Sequence, residues 1–384
     1  MRSRLAAVVL GLAFSFPTVL ASAQVSSSQI DAIFASLKSS TAPGAAVLVV
    51  RNGRPVFRAG YGITGLRSLR PIDAKTNFRL ASFTKQFTAA CIMLLARDGK
   101  LHYDDHLTDF FPEFPAYGKA ITVRNLLNHT SGLDDYEDLL MKQYPDTPPE
   151  KIPQVLDAGV LKLLAHQSSG EFAPGTKWEY SNSGYALLAM IVEKVSGKTF
   201  GQFLQERIFM PLKMKNTLAY EKGKNEVPHR AYGQTKKDAA KENGAKENDK
   251  AAWQQTDQSP TSAVLGDGGI YSSLDDLAKW DRALRDHTLL SAAEMQPALT
   301  PVQPTDGPAK FPDGRPISYG FGWFLDPYQG HKRMSHDGET IGFRTTIQRF
   351  PDDDLTIIVL ANRTDINPEE LALKVAKLYL GTKP

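Results

Sequence analysis

Cysteine is almost missing from this chain: Cys91 is the only one in 384 residues. That excludes an internal disulfide and any cysteine-rich zinc site. An excess of one charge is missing as well. Lys and Arg number 45 against 42 Asp and Glu, a net charge of +3. Subtracting Arg2 and Arg4, which lie in a segment expected to be removed, leaves +1. A basic nucleic-acid surface is not expected on that balance. There is no internal repeat, and 29 Gly and 24 Pro without a fixed period exclude collagen. Hydrophobic residues make up 42% and charged residues 23%, which places the chain among globular proteins rather than disordered ones. Gly-x-Ser-x-Gly is absent, which argues against the nucleophile elbow of α/β-hydrolases.

A long apolar run occurs only at the start. Arg2 and Arg4 precede the mostly apolar stretch Leu5 to Phe16, and Ala21-Ser22-Ala23 is a small-x-small cleavage triplet before Gln24. Residues 1–23 read as a secretory signal cut after Ala23, with an uncleaved anchor as the alternative. The mature chain, 24–384, is then periplasmic or secreted, with no stable membrane anchor after cleavage.

Strand patterns sit at both ends of the mature chain. Ala45 to Val50, a turn at Asn52-Gly53 and Pro55 to Gly60 predict one hairpin. Phe343 to Phe350 and Leu355 to Leu360 predict a second, and a helix from about Pro368 to Leu380 closes the chain. Ser28 is the expected cap of a helix carrying Ile30, Ile33, Phe34 and Leu37. Helical patterns fill the middle: Ser82 to Arg97, stopped by Gly99; Ser183 to Val195, stopped by Gly197; a Thr199/Gln202 capping box; and a helix capped by Ser273. The expected fold is α+β, an antiparallel sheet built from both chain ends and packed on helices beside a mainly helical lobe. Residues 233–259 alternate Lys with Asp and Glu and read as a charged surface insertion, a solvated loop or short exposed helix.

Three short motifs carry possible chemistry. In Ser82-Phe83-Thr84-Lys85 a helix puts the lysine amine beside the serine hydroxyl, whose proton a desolvated amine can accept. Tyr180-Ser181-Asn182 offers a phenol that a nearby cation can turn into a base, and an amide that can orient a substrate carbonyl. His336-Asp337-Gly338 precedes a strand, and Gly338 lets a substrate approach the backbone. Each alone reads better as a solvated helix start, a buried structural tyrosine or a surface turn. His102 and His106, with Asp104 and Asp105 between them, have ligand-like residue types but follow the Gly99 stop, so helical spacing is not assured and HExxH is absent. Cys91 falls on the apolar face of the Ser82 helix and reads as a packing residue.

Taken in order, Ser-x-x-Lys, Tyr-x-Asn and His-x-Gly resemble the penicillin-recognising serine hydrolases. The nearest branch holds class C β-lactamases, D-alanyl-D-alanine carboxypeptidases, D-aminopeptidases and β-lactamase-like esterases. Leu80-Ala81, His129-Thr130-Ser131-Gly132-Leu133, Pro174-Gly175, Gly184-Tyr185, Gly268-Gly269 and Tyr319-Gly320-Phe321-Gly322-Trp323 extend the likeness over nearly all the mature chain. The resemblance implies Ser82 as acylated nucleophile, Lys85 as its proton acceptor and Tyr180 as base and leaving-group acid. It implies Asn182, His336 and Gly338 as substrate contacts, and the N–H groups of Ser82 and Glu339 as oxyanion donors. It implies no metal or organic cofactor. The expected partner is a small-molecule or short peptide or ester substrate, with the oligomeric state open. A catalytically idle scaffold of the same fold is the rival reading.

The chain departs from class C β-lactamases at the third motif, where they carry Lys-Thr-Gly. His336 is expected to be mostly neutral at pH 7. Asp337, if it faces the cleft, is expected to oppose a substrate carboxylate and to favour neutral or amine-bearing substrates.

Overall fold

The computed structural model describes residues 25–237, 252–311 and 313–381. The expected signal and its cleavage site lie outside the described residues. Helix α1 (Ser27–Ile33) opens the description and is capped by Ser26 rather than Ser28. Gln29 decides this, because its side chain reaches back to Ser26 N–H while Ser26 Oγ accepts Gln29 N–H.

Strands β1 (Ala45–Arg51) and β2 (Arg54–Tyr61) form the first hairpin across the Asn52-Gly53 turn. Strands β3 (Met334–Thr340), β4 (Phe343–Phe350) and β5 (Leu355–Ala361) come from the other end of the chain. The sheet order is β2-β1-β5-β4-β3, antiparallel throughout, with Ala45 opposite Ala361 joining the two chain ends. Period-two alternation divides the side chains between two cores. Ala45, Val47, Val49, Ile357 and Val359 pack with Ile30 and Phe34 of the α1 region and with Val375 of the closing helix α5 (Pro368–Tyr379). Ala46, Leu48, Ile347, Ile358 and Leu360 face the helical lobe.

Three more helices matter for the site. Helix α2 (Lys85–Arg97) is buried from Lys85 to Leu95, as a helix crossing the centre of a domain must be. Cys91 is fully buried there, and burial pushes its thiol pKa up. Helix α3 (Asn182–Ser196) ends at Gly197 with φ +68, and α4 (Leu274–Arg285) is capped by Ser273, both as expected. The Thr199/Gln202 capping box is present.

The charged insertion needs correcting at its ends. Gln234–Lys236 pairs with Trp253–Gln255, Trp253 is buried, and the Arg363 guanidinium lies 4.5 Å over its ring. The average charge of 233–259 conceals Gln234, Ala252 and Trp253, which are built into the protein. Residues 238–251 lie outside the described residues.

Candidate active site

Ser82 does not begin an α-helix. It lies in a 3₁₀ turn, Ala81–Thr84, from which α2 continues at Lys85. Three residues per turn put positions i and i+3 directly above one another, and Lys85 Nζ stands 3.0 Å from Ser82 Oγ. The preceding Ala81 has φ +50, an unfavourable conformation for a residue with a Cβ. Its neighbours impose it: Leu80 N–H donates to Ile270 O, and Thr345 Oγ1 donates to Leu80 O at 2.7 Å. Gly338 is needed for the same reason. A Cβ there would lie 2.1 Å from Leu80 O, so only glycine lets β3 come this close to the serine turn.

Lys85 is 0% exposed. Besides Ser82 Oγ, its amine meets Asn182 Oδ1 at 2.8 Å and the Asp267 carbonyl at 3.1 Å. All three contacts are uncharged atoms. The Asp267 carboxyl turns away and accepts the Tyr136 hydroxyl at 2.8 Å. Burial raises the pKa of that carboxyl, and the Lys85 charge works against the rise.

Ser181 caps α3, so Tyr180 and Asn182 flank the start of a rigid helix. The Asn182 backbone N–H donates to Asp135 Oδ2 at 2.9 Å, its side-chain Oδ1 accepts from Lys85, and its side-chain NH₂ has no partner among the described residues. The Tyr180 ring lies under the Lys85 amine, 4.9 Å from ring centre to Nζ. His129 packs against Tyr180 with ring centres 4.4 Å apart and planes tilted by 33°, and its Nδ1 accepts Ser181 N–H at 3.1 Å. Nδ1 is therefore unprotonated, and burial followed by the Lys85 charge holds the His129 pKa well below its ordinary value.

The third motif lies on β3, an edge strand of the sheet. Ser335 exchanges both backbone hydrogen bonds with Phe324 on the side away from β4. By the strand's period of two, the backbone groups of Asp337 and Glu339 point to that same side. Glu339 N–H thus faces outward from the edge beside the serine turn. His336 is 2% exposed, and both ring nitrogens are engaged. Nδ1 meets the Asp337 carbonyl at 2.7 Å, so it carries the proton, and Nε2 accepts the Tyr319 hydroxyl at 3.0 Å. Burial and then the Lys85 charge lower its pKa to about 3. It is a neutral ring, as expected.

Asp337 lies on the other face. It stands opposite Thr346, whose hydroxyl donates to Asp337 Oδ1, and its neighbours are Glu369 and Arg333 on the α5 side. The condition for an effect on substrate carboxylates is not met, and that expectation is withdrawn. Alternation along β3 sends His336 and Gly338 toward the serine and the residue between them away from it.

The structure brings Ser82, Lys85, Tyr180 and Asn182 into contact and sets Gly338 against the serine turn, with Glu339 next along β3 and His336 packed against Tyr319. Sequence reasoning gave no role to Asp267, Tyr136 or Tyr319, and quoted His129 only within a motif string. A backbone carbonyl acceptor such as Asp267 O leaves no mark in residue type. The adjacent Gly268-Gly269 pair was the available signal. His102 and His106 bond through their backbone amides to Asp105 and Asp109. Among the described residues no group of three or more His, Cys, Asp or Glu is placed to hold a metal ion, and no helix is long and apolar enough to cross a membrane.

Comparison with known proteins gives the family. The β-lactamase family model matches residues 30–381. Penicillin-binding protein 4* of Bacillus subtilis is 33% identical over 345 residues, covering 88% of this chain and 72% of the relative. A D-aminopeptidase of Brucella canis is 30% identical over 347 residues, and the match spans 60% of that longer protein. Among solved structures, the octameric penicillin-binding protein homologue of Pyrococcus abyssi superposes with TM-score 0.75 at 24% identity, over 93% of this chain and 77% of that one. The D-amino acid amidase of Ochrobactrum anthropi gives 0.72 at 23%, over 92% and 97%. Matched over almost its whole described length, and with a serine–lysine pair at the turn into its central helix, the chain belongs to the β-lactamase family of penicillin-recognising serine hydrolases.

Proposed function

We propose that this protein is an acyl-enzyme amidase or peptidase whose substrates are short D-amino-acid peptides or amides with a free amine. The observation that carries the reading is the set of contacts around Lys85. An unprotonated amine has two hydrogens and one lone pair. The Asn182 and Asp267 oxygens accept only, so they take the two hydrogens, and the lone pair is left for the Ser82 hydroxyl. Lys85 then receives the Ser82 proton as Oγ bonds to the substrate carbonyl carbon. The proton passes by way of Lys85 and Tyr180 to the leaving nitrogen as the C–N bond breaks. Water returns the acyl group as a free acid and restores the serine. The Ser82 and Glu339 N–H groups bind the oxyanion, each contributing about 3 kcal/mol to the transition state.

The preference for an amine rests on the carboxyl groups crowding the Asn182 side of the groove. Asp135 holds Asn182 N–H, and Glu137 follows it at the start of the next helix. Packing, then the charges of Asp267 and Asp135, raise the Glu137 pKa to about 7. Glu171 is raised by packing and by Glu179, the neighbour of Tyr180. Such a rim attracts an ammonium group and repels the carboxylate of a penicillin. The names of the D-aminopeptidase and D-amino acid amidase relatives support the same choice. With the expected leader removed, the enzyme works in the periplasm or outside the cell.

The test is intact-mass spectrometry and product release with a D-amino-acid amide, an activated short-chain ester and a penicillin, for wild type and Ser82→Ala. A Ser82-dependent acyl adduct or product burst, fastest with the amide, is expected. Faster reaction with the penicillin would overturn the substrate assignment, and turnover that survives Ser82→Ala would overturn the mechanism.

A further inference from the structure

At the end of the sheet away from Glu339, under α4, lies a cavity of about 470 Å³, large enough for a small organic molecule. None of the residues placed at the Ser82 groove lines it. Its floor is one row of side chains in register across four strands: Met334 opposite Arg349, Arg349 opposite Thr356, and Thr356 opposite Val50. Its roof is the last turn of α4 with residues of the 295–301 segment.

A sheet row buried under a helix is ordinarily apolar, yet Arg349 stands in this one and is 7% exposed. Arg349 Nε donates to Asp281 Oδ1 at 2.8 Å, and Thr356 Oγ1 donates to the same oxygen at 2.7 Å. The outer edge of the guanidinium is unused. Nη1 meets only the Met334 sulfur, at 3.7 Å, and Nη2 has no partner among the described residues. This edge borders the cavity, where an acceptor can reach it. The other lining arginines have both Nη atoms or a fork on carboxylates: Arg285 pairs with Asp354 and Asp286, and Arg333 gives Nη1 to Glu369 and Nη2 to Asp326, with only its Nε unpaired. Lys332, exposed at the mouth, has no carboxylate partner among the described residues. The donors left open in the cavity are thus those of Arg349 and Lys332, while Leu284, Met295, Leu299 and Leu325 give it apolar walls.

We propose that this cavity binds a small organic acid, its carboxylate on the free Nη edge of Arg349 with Lys332 at the mouth, and its apolar body against the leucines. A guanidinium edge matches a carboxylate with two parallel hydrogen bonds, which sets both affinity and orientation. The site is independent of the reaction at Ser82.

The test is calorimetric titration of the full protein with 4-phenylbutyrate, 4-phenylbutanol and 4-phenylbutylamine, which share one body and differ in head group. The acid is expected to bind about tenfold or more tighter than the alcohol, and the amine not at all. Arg349→Lys keeps a cation beside Asp281 but loses the planar fork, and should weaken the acid about tenfold. Leu299→Trp fills the cavity without touching the ion pair and should abolish binding while leaving hydrolysis within about twofold. Equal binding of the three compounds, preference for the amine, no binding of the acid, or acid binding that survives Leu299→Trp would each overturn the proposal.

Discussion

Lys85 and Arg349 are both buried basic side chains, 0% and 7% exposed, and the protein holds them in opposite ways. Arg349 lies directly on a carboxylate, Asp281, between sheet and helix. Lys85 touches a hydroxyl, an amide oxygen and a carbonyl. Even Asp267, which could have offered Lys85 its carboxylate, offers its backbone and gives its carboxyl to Tyr136. A direct carboxylate partner would favour the charged ammonium and oppose its role as a base. The basic group that serves the fold is paired with a carboxylate, and the one that serves the chemistry is kept from such a partner.

The sharpest way to break this contrast is to remove one partner from each region. Lys85→Met is expected to lower kcat/KM by roughly 10²–10⁴-fold with the melting temperature nearly unchanged, since no carboxylate loses its partner. Asp281→Ala leaves Arg349 buried without its counter-charge and is expected to cost about 3–5 kcal/mol of stability. Its kcat per folded molecule should stay near wild type. Chemical denaturation and steady-state kinetics on both variants decide the matter. A Lys85→Met protein that unfolds readily but keeps its turnover would reverse the assignment.

A smaller effect sharpens the electrostatics of the groove. With its pKa at about 3, His336 is uncharged throughout the neutral range. His336→Gln should lower the rate by loosening β3 yet leave the acidic limb of the kcat/KM–pH profile where it was. A displaced limb would mean that His336 titrates during catalysis. The same depression has a sign for stability. The unfolded ring binds a proton near pH 6.5 and the folded ring does not, so the contribution of His336 is complete above that pH and is lost as the pH falls toward 3. Denaturation at pH 7 and pH 4.5 should show the wild type losing more stability on acidification than His336→Gln.

Much of this architecture was legible because local chemistry specified it. The two hairpins declared themselves by Asn52-Gly53, Pro351 and their apolar runs, and α3 by Gly197. The serine–lysine spacing gave the centre of the site, although the turn there is 3₁₀ and its strained Ala81 is imposed from outside by Ile270 and Thr345. Two kinds of feature stayed hidden. Backbone acceptors such as Asp267 O have no residue signature. The facing of β3 was unreadable because its run, Met334-Ser335-His336-Asp337-Gly338-Glu339-Thr340, does not alternate apolar with polar. Its inward positions are a methionine, a histidine and a glycine, so no hydrophobic parity marked the inner face.

Asp337 is where that hidden parity changes a prediction. Read as a groove residue, it would repel a substrate carboxylate, and Asp337→Thr would increase penicillin acylation. Its carboxyl instead accepts the Thr346 hydroxyl on the face shared with Glu369 and Arg333, with the strand between it and Ser82. Asp337 is also open to water, which screens what remains of its field at the groove. Asp337→Thr should therefore leave the penicillin and D-amino-acid-amide acylation rates, and their ratio, within about twofold of wild type. Changing Glu137 to Gln, on the acidic rim, should shift that ratio toward penicillin by more, roughly two- to fivefold at low salt and less at high salt. Stopped-flow acylation of both variants at two ionic strengths separates the cases. A larger gain from Asp337→Thr than from Glu137→Gln would mean that selectivity is set at the β3 edge and not by the carboxyls around Asn182.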